Sequence, residues 1–205
     1  MSMPQQSPVN LESPISTQFG ANQLKVRWRK SARGTIITGG HGTPEVRFNA
    51  NDADYILLDR CRYHLVNFHF HSPSEHWLAG KQQRMELHIV HQNAQQHGGG
   101  RAAIGVFIEP KKASRASKIS RSGSKNGNPP AISTNPWDWL PTNFERYYRY
   151  EGSLTTPAYT ENVSWIVLKE PLRCTVQEFK KLSSYYGGPA RLPQPLNRRF
   201  LLANF

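Results

Sequence analysis

The chain has 205 residues, a length that suits a single domain with its own hydrophobic core, so residues 1–205 are predicted to form one domain. Hydrophobic residues make up 37% of the sequence, and 15 glycines and 15 prolines favour a loop-rich β protein over a helical bundle. The formal net charge of +12 raises the question of a polyanionic partner, whereas no apolar run reaches the length of a membrane span.

The first half of the chain contains a series of strand-like segments. Residues 24–30 alternate apolar and basic side chains, as in a half-buried strand whose cations face solvent. A short apolar run, 55–58, comes next, and two histidine-bearing runs, 63–71 and 84–91, are separated by turn-forming residues. Strands joined by short turns favour a large, mostly antiparallel sheet.

The second half adds two strands, one low-complexity stretch and one helix. The apolar runs 102–108 and 163–168 are typical of fully buried strands. Residues 110–136 are rich in Ser, Lys, Gly, Asn and Pro, which favours a loop or a loosened helical segment. Residues 175–178 (Thr-Val-Gln-Glu) form a capping box, so a helix is predicted to begin there.

Three histidines on the two neighbouring runs form the most informative pattern in the sequence. His69 and His71 are separated by one residue, so in a strand they share a face, roughly 6.5–7 Å apart along the backbone. His88 lies on the next run, and pairing of the two strands would bring three neutral imidazoles to one point. Three protein ligands leave one tetrahedral position open, so the pattern predicts a catalytic Zn²⁺ site.

Two residues are suitably placed to orient these imidazoles. Asn67 lies two residues before His69, and Glu86 lies two residues before His88. A metal-bound histidine normally donates its other ring N–H to such a fixed acceptor. An isolated histidine on a strand is usually a core or surface residue, but that alternative does not predict the repeated spacing. A purely structural zinc site is a weaker alternative, because the motif has no evident fourth ligand.

The same residues also resemble a known family. The segments 67–76 (Asn-Phe-His-Phe-His-Ser-Pro-Ser-Glu-His) and 86–91 (Glu-Leu-His-Ile-Val-His) resemble the zinc-binding core of the alpha-class carbonic anhydrases. Matches to further family motifs follow in the family's order, at residues 6–11, 40–41, 147–157, 165–168 and 194–197. The resemblance therefore extends over nearly the whole chain.

This resemblance implies both a fold and an activity. The fold would be a single domain on a large twisted, mostly antiparallel open sheet of about ten strands, with a few short helices and a conical cavity. The activity would be the reversible hydration of carbon dioxide to bicarbonate and a proton, by attack of zinc-bound hydroxide. The implied metal ligands are His69, His71 and His88, with Asn67 and Glu86 orienting His69 and His88.

The resemblance also implies roles for residues around the metal. Thr155 would accept a hydrogen bond from the zinc-bound hydroxide, and Glu75 would take the proton of the Thr155 hydroxyl. His41 would carry protons out of the site, since the histidine pKa suits transfer near neutrality, although an exposed histidine in a Gly-rich turn is also commonplace. The carbon dioxide pocket would be lined by Val90, Leu154, Val163 and Trp165, with Thr156 on the substrate side.

One departure from the family lies beside Thr155. The usual second proline after the Thr-Thr pair is Ala158 here, following Pro157. The cis X-Pro bond that the family often has at this position is therefore not available. We expect the loop that carries Thr155 to lack this constraint.

The basic residues between 111 and 125 lie in a Ser-rich stretch with no acidic residue and no interleaved aromatic. Because no nucleic-acid motif is present, this pattern favours a solvated loop over a specific binding site. The alternative function is a carbonic anhydrase-like module that binds polyanions with little or no catalysis. Residues 1–6 lack the features of a signal peptide, so the chain as written is expected in the cytoplasm; a leader removed from a longer chain would instead fit the periplasm or secretion.

Overall fold

The computed structural model describes residues 3–20, 23–39, 43–49, 53–93, 99–111 and 132–205. In this part of the chain the secondary structure consists mainly of strands. They are β1 (Asn10–Leu11), β2 (Ile15–Ser16), β3 (Lys25–Arg27), β4 (Thr35–Thr38), β5 (Pro44–Arg47), β6 (Tyr55–Leu58), β7 (Cys61–His71), β8 (Trp77–Leu78), β9 (Lys81–Gln82), β10 (Glu86–Gln92), β11 (Arg101–Pro110), β12 (Tyr147–Gly152), β13 (Val163–Leu168), β14 (Leu172–Cys174), β15 (Gly187–Gly188) and β16 (Leu202–Ala203).

Thirteen of these strands form one large sheet. Its main path runs β2-β16-β12-β13-β11-β10-β7-β5-β4, and strands β3, β6, β14 and β15 attach at its sides. Strands β1, β8 and β9 form a separate three-stranded sheet. The prediction of a mainly β fold on one large sheet is therefore confirmed. The central strands β7, β10 and β11 are antiparallel neighbours, whereas β13 joins β11 in parallel.

The two faces of β7 have different surroundings because successive side chains of a strand point in opposite directions. Phe68 and Phe70 are 0% and 2% exposed and pack into the main hydrophobic core with Trp139 and Leu182. His69, between the two phenylalanines, lies on the opposite face. Burial of the aromatic side chains fixes the register of the strand, since a slip of one residue would move each of them to the other face.

The predicted helix is confirmed as α1 (Val176–Tyr185). Thr175 Oγ1 accepts a hydrogen bond from the Glu178 backbone N–H at 3.1 Å, and Glu178 Oε2 accepts one from the Thr175 backbone N–H at 2.9 Å. This reciprocal pair is the capping box that the sequence predicts. No helix in the described ranges is both long and apolar enough to cross a bilayer.

Several predictions differ in detail from the structure. The first predicted strand ends at Arg27, because the backbone N–H of Arg29 donates to Asp54 Oδ1 at 2.7 Å and so leaves the strand pairing. The peptide bond between Pro157 and Ala158 is cis, so the expectation that a cis bond is absent here is wrong. Of the predicted low-complexity stretch, residues 112–131 lie outside the described residues.

Candidate metal centre

The three predicted ligand histidines converge because β7 and β10 are adjacent and antiparallel. His69 lies directly opposite His88 in the register, and His71 lies opposite Glu86. The ring centroids of His69 and His71 are 5.1 Å apart, and that of His88 lies 5.5 and 4.7 Å from them, respectively. One ring nitrogen from each histidine lies within 4.8 Å of the other two. The site is therefore built by a local strand pair, not by distant loops.

One ring nitrogen of His71 is hydrogen-bonded, and the other has no hydrogen-bond partner among the described residues. Its Nδ1 lies 2.8 Å from the carbonyl oxygen of Pro189, which can only accept a hydrogen bond, so Nδ1 carries the proton. The Nε2 atom is buried and has no hydrogen-bond partner among the residues described. Burial is the main cause that lowers the pKa of His71, and the nearby His88 lowers it further. A neutral imidazole with a buried free lone pair fits a metal ion at Nε2.

His69 is oriented by the residue that the sequence predicts. Its Nδ1 lies 3.2 Å from Asn67 Oδ1. If the Asn67 oxygen accepts the Nδ1–H, the lone pair of His69 is on Nε2, which faces the other two histidines. Both side chains lie on the cavity face of β7, two residues apart. This contact corresponds to the acceptor that usually fixes a metal-bound imidazole.

His88 contacts the other predicted acceptor, Glu86. Its Nε2 lies 3.1 Å from Glu86 Oε1, in the geometry of an ion pair and not of a well-aligned hydrogen bond. Burial opposes the charged imidazole, but Glu86 and then Glu75 outweigh burial and raise the pKa of His88. A metal ligand must be deprotonated, so metal binding at His88 is expected to release a proton.

Glu86 is also the centre of a buried hydrogen-bond network that the sequence did not predict. Its Oε2 accepts from the backbone N–H groups of Glu75 at 3.0 Å and His76 at 2.9 Å, and its Oε1 lies 2.7 Å from His76 Nδ1. Burial opposes its ionisation, but contacts with His76 and His88 outweigh burial and hold the pKa of Glu86 well below its usual range. His76 is therefore a direct partner of Glu86.

The network continues away from the metal centre. Tyr150 Oη lies 2.7 Å from His76 Nε2 and 2.9 Å from Ser7 Oγ. Ser7 and Ser153 each accept a hydrogen bond from the backbone N–H of the other, at 3.0 and 2.9 Å. These residues come from three distant parts of the chain, so no local spacing in the sequence could have indicated that they meet.

Glu75 and Thr155 both reach the metal centre. Glu75 Oε1 accepts from the Arg191 backbone N–H at 3.0 Å, while Oε2 is buried without a hydrogen-bond partner in the described structure. That Oε2 lies 3.5 Å from His71 Nε2 and 3.8 Å from His88 Nδ1. Thr155 lines the same cavity. The predicted hydrogen bond between Thr155 and Glu75 is not formed in this structure, and the role of the pair stays a prediction.

A cavity of about 270 Å³ lies over His69 and His88. It contains all five predicted pocket residues, which are Val90, Leu154, Thr156, Val163 and Trp165. The Trp165 ring packs 4.7 Å from the His88 ring, centroid to centroid, so the apolar wall reaches the metal centre itself. Seven further lining residues were not predicted, namely Gly39, Thr43, the apolar Val66 and Ala103, and the polar Glu45, Gln92 and Arg101. Strand alternation beyond the histidines could have indicated several of them, since Val90 and Gln92 share the face of His88.

The same centre is bordered by a second cavity, also of about 270 Å³. The two cavities share His69, Thr155 and Thr156, and the second also contains His71 and Glu75. The metal centre is thus open to space on two sides of the Thr155 loop. The predicted proton shuttle, His41, lies outside the described residues.

Comparison with known proteins agrees with the resemblance seen in the sequence. The sequence profile of the eukaryotic-type carbonic anhydrases matches residues 1–205. A carbonic anhydrase of Pectobacterium atrosepticum is 32% identical over 206 residues, which cover 96% of this chain and 79% of the relative. Among solved structures, a hyperthermostable carbonic anhydrase from a hydrothermal vent chimney is 31% identical, with a TM-score of 0.79 over 97% of this chain and 87% of that one.

A further solved structure is the complex of the alpha-carbonic anhydrase of Thermovibrio ammonificans with the inhibitor sulfanilamide. It is 30% identical to this chain, with a TM-score of 0.78 over 97% of this chain and 86% of that one. Fold, sequence profile and relatives point to one enzyme class, and the chain belongs to the eukaryotic-type carbonic anhydrase family.

Proposed function

We propose that this carbonic anhydrase binds one Zn²⁺ through His69, His71 and His88 and catalyses the reversible hydration of carbon dioxide to bicarbonate and a proton. The observation that carries the proposal is the convergence of three imidazoles beside two cavities, with the buried Nε2 of His71 left without a hydrogen-bond partner among the described residues. Nitrogen donors are the ligands that zinc prefers, and three of them leave one position for water.

Zinc at this position would lower the pKa of a bound water to about 7 and so supply hydroxide at neutral pH, an effect for which carbonic anhydrase is the reference case. The protein's part is to turn the imidazoles so that each presents one ring nitrogen to the metal. Pro189 and Asn67 contact Nδ1 of His71 and His69, and Glu86 contacts Nε2 of His88. The atoms left for the metal are therefore Nε2 of His69, Nε2 of His71 and Nδ1 of His88.

In this proposal the substrate site consists of an apolar wall and the Thr155 hydroxyl. Carbon dioxide is small, neutral and apolar, which suits a wall of Val90, Leu154, Val163 and Trp165. Thr155 is 8% exposed and lies on a loop closed by a hydrogen bond from the Leu154 backbone N–H to the Thr160 carbonyl at 3.0 Å. The unpartnered Glu75 Oε2 is available to accept the Thr155 hydroxyl proton, which would leave the Thr155 oxygen to accept from the reacting water.

The proposal is tested by metal analysis together with a carbon dioxide hydration assay. The purified protein is expected to hold about one zinc per chain, and His88→Ala is expected to lose most of its zinc affinity, because two ligands hold catalytic zinc weakly. His64→Ala, which removes a half-buried histidine distant from the centre on the same strand as His69, is the matched control. Full zinc occupancy in His88→Ala would contradict the ligand assignment.

Two predictions from the sequence remain as proposals. If His41 carries protons, His41→Ala will slow turnover in weak buffer and recover when imidazole is added, since a mobile base replaces a tethered one. A slow variant that imidazole does not rescue would contradict this role. The alternative, a module that binds polyanions through its basic surface, also stays a proposal; most of the basic stretch 111–125 lies outside the described residues.

A further inference from the structure

One wall of the cavity carries a carboxylate beside the proposed metal centre. Glu45 on β5 lies directly opposite His69 on β7 in the sheet register. Side chains opposite each other on paired strands share a face, with their Cβ atoms about 4.5–5.5 Å apart. Glu45 accordingly lines the same cavity as His69, His88 and Thr155.

The charge of this carboxylate is only partly compensated. Arg47, two residues along the same face, places Nη2 at 2.6 Å and Nε at 3.1 Å from Glu45 Oε1. The Arg47 side chain is 57% exposed, whereas that of Glu45 is 13% exposed. Arg47 lies opposite Asn67, one step farther from the metal centre than Glu45. The negative end of the pair therefore faces the cavity, and the positive end lies towards solvent, where water screens it.

The second oxygen of the Glu45 carboxylate lies beside Gly39, which lines the same cavity. It accepts no hydrogen bond from the described residues, and a Cβ added at Gly39 would lie 3.1 Å from it. A larger residue at position 39 would push against this oxygen. The backbone of Gly39 thus leaves room for the carboxylate on the cavity side of the sheet.

We propose that Glu45 makes the metal centre discriminate against anions, and that Arg47 limits the size of this effect. The proposal rests on the metal-binding function proposed above. Carbon dioxide is neutral and is little affected by a fixed charge, whereas bicarbonate and small monovalent anions are repelled by a carboxylate in a sheltered cavity. Glu45 would then favour release of the anionic product and weaken binding of competing anions.

The test is titration of the cobalt(II)-substituted protein with thiocyanate, followed by visible absorption. The measurement is made at pH 6, where a metal-bound water with a pKa of about 7 is mostly protonated. Glu45→Gln keeps the shape of the side chain and is expected to tighten thiocyanate binding roughly three- to tenfold. Arg47→Gln leaves the carboxylate unpaired and is expected to weaken thiocyanate binding by about twofold or more.

Glu109→Gln is the matched control for the charge change. Glu109 also faces an arginine, Arg173, at 4.0 Å, but it is exposed and lies at the end of β11 away from the cavity lining. No change in thiocyanate affinity is expected for it. Equal shifts in Glu45→Gln and Glu109→Gln, or shifts of the same sign in Glu45→Gln and Arg47→Gln, would overturn the proposal.

The outcomes separate this proposal from the proposed function. Cobalt content is measured for each variant before titration, together with far-ultraviolet circular dichroism. Failure of the parent protein to bind the metal would contradict the metal centre itself. Normal metal content with thiocyanate affinities within twofold of the parent would overturn only the role of Glu45. If Glu45→Gln does not fold, the opposite shift expected for Arg47→Gln still tests the role of the charge.

Discussion

His88 belongs to two clusters of ionisable side chains. One cluster contains a buried nitrogen without a hydrogen-bond partner among the described residues, whereas the other is held together by hydrogen bonds. On the cavity side, the cluster of His69, His71 and His88 includes a buried His71 Nε2 that lacks a partner among the described residues. On the other side, His76 and Glu86 are bound to each other, and Glu86 also accepts two backbone N–H groups. We call these the open cluster and the closed cluster.

The comparison shows how similar residues acquire different roles. Apart from the half-buried His69, the members of both clusters are buried, and both clusters contain histidine, so composition alone does not distinguish them. In the closed cluster His76 and Glu86 hydrogen-bond to each other, as buried polar groups normally do. In the open cluster, leaving a buried polar atom unpaired has a cost in stability, which a bound metal would offset. We infer that the closed cluster supports the ring of His88 and that the open cluster is the one that would bind the metal ion.

The largest expected effect is on stability, from Glu86→Ala in the closed cluster. This change removes a buried carboxylate that holds two backbone N–H groups and His76, and it is expected to cost about 3–5 kcal/mol of unfolding free energy in the metal-free protein. The measurement is urea denaturation followed by circular dichroism. His71→Ala is the control from the open cluster, and we expect a smaller loss because His71 Nε2 has no partner to lose. Equal losses in the two variants would contradict the distinction.

The second prediction concerns a residue beside the open cluster, where we expect a change in the hydration rate but not in stability. Thr155→Ala is expected to keep its zinc and its fold but to lose about 10²–10³ in hydration rate, because the reacting water loses its orienting acceptor. Stopped-flow hydration and zinc content are measured together. Thr156→Ala, the neighbouring change, is expected to affect rate less because Thr156 is predicted only to line the substrate side. A Thr155→Ala enzyme as fast as the parent would show that this hydroxyl has been misassigned.

The smallest effect concerns His91, a buried histidine outside both clusters. Burial lowers its pKa to about 3, and its ring stacks on Trp28 at a centroid distance of 5.6 Å. The native protein therefore keeps His91 neutral, whereas the unfolded chain binds a proton as the pH falls below about 6.5. Because the unfolded state binds more protons, this residue should lower stability by up to about 1.4 kcal/mol per pH unit as the pH falls from 6.5 towards 3.

Urea denaturation of the metal-free protein at pH 7.0, 6.0 and 5.0 measures this dependence. His91→Phe keeps an aromatic ring beside Trp28 but removes the titrating group, so its stability should fall less between pH 6.5 and 5. The upper part of this range lies above the pH at which carboxylates such as Glu86 begin to take up protons. The same pH dependence in parent and variant would contradict the assignment to His91.

Much of the fold and of the metal centre could be predicted because the signals are local. The capping box of α1 is complete within four residues, from Thr175 to Glu178. The alternation of β7 places His69 and His71 on one face, and its pairing with β10 brings His88 opposite His69. The acceptor Asn67 is two residues from its histidine, so strand geometry alone puts the two side chains together.

The strand end at Arg27 and the lining residue Glu45 show where local signals fail. Residues 24–30 have strand periodicity throughout, yet the Arg29 backbone N–H donates to Asp54, which is distant in the sequence. Glu45 has no motif of its own. Its position beside His69 follows from the pairing of β5 with β7, which the sequence pattern does not specify.

The sequence by itself determined the strand-based architecture, the helix start, the three candidate ligands and the acceptors Asn67 and Glu86, because each depends on spacing within one element or on one strand pair. Only the tertiary structure decided the contacts of the closed cluster, its link through Tyr150 to Ser7, and the carbonyl of Pro189 that holds His71. Those contacts join residues up to 143 positions apart in the chain. Which distant polar groups satisfy one another is fixed by the packing of the whole sheet, since a buried donor or acceptor takes whichever partner the fold brings within reach.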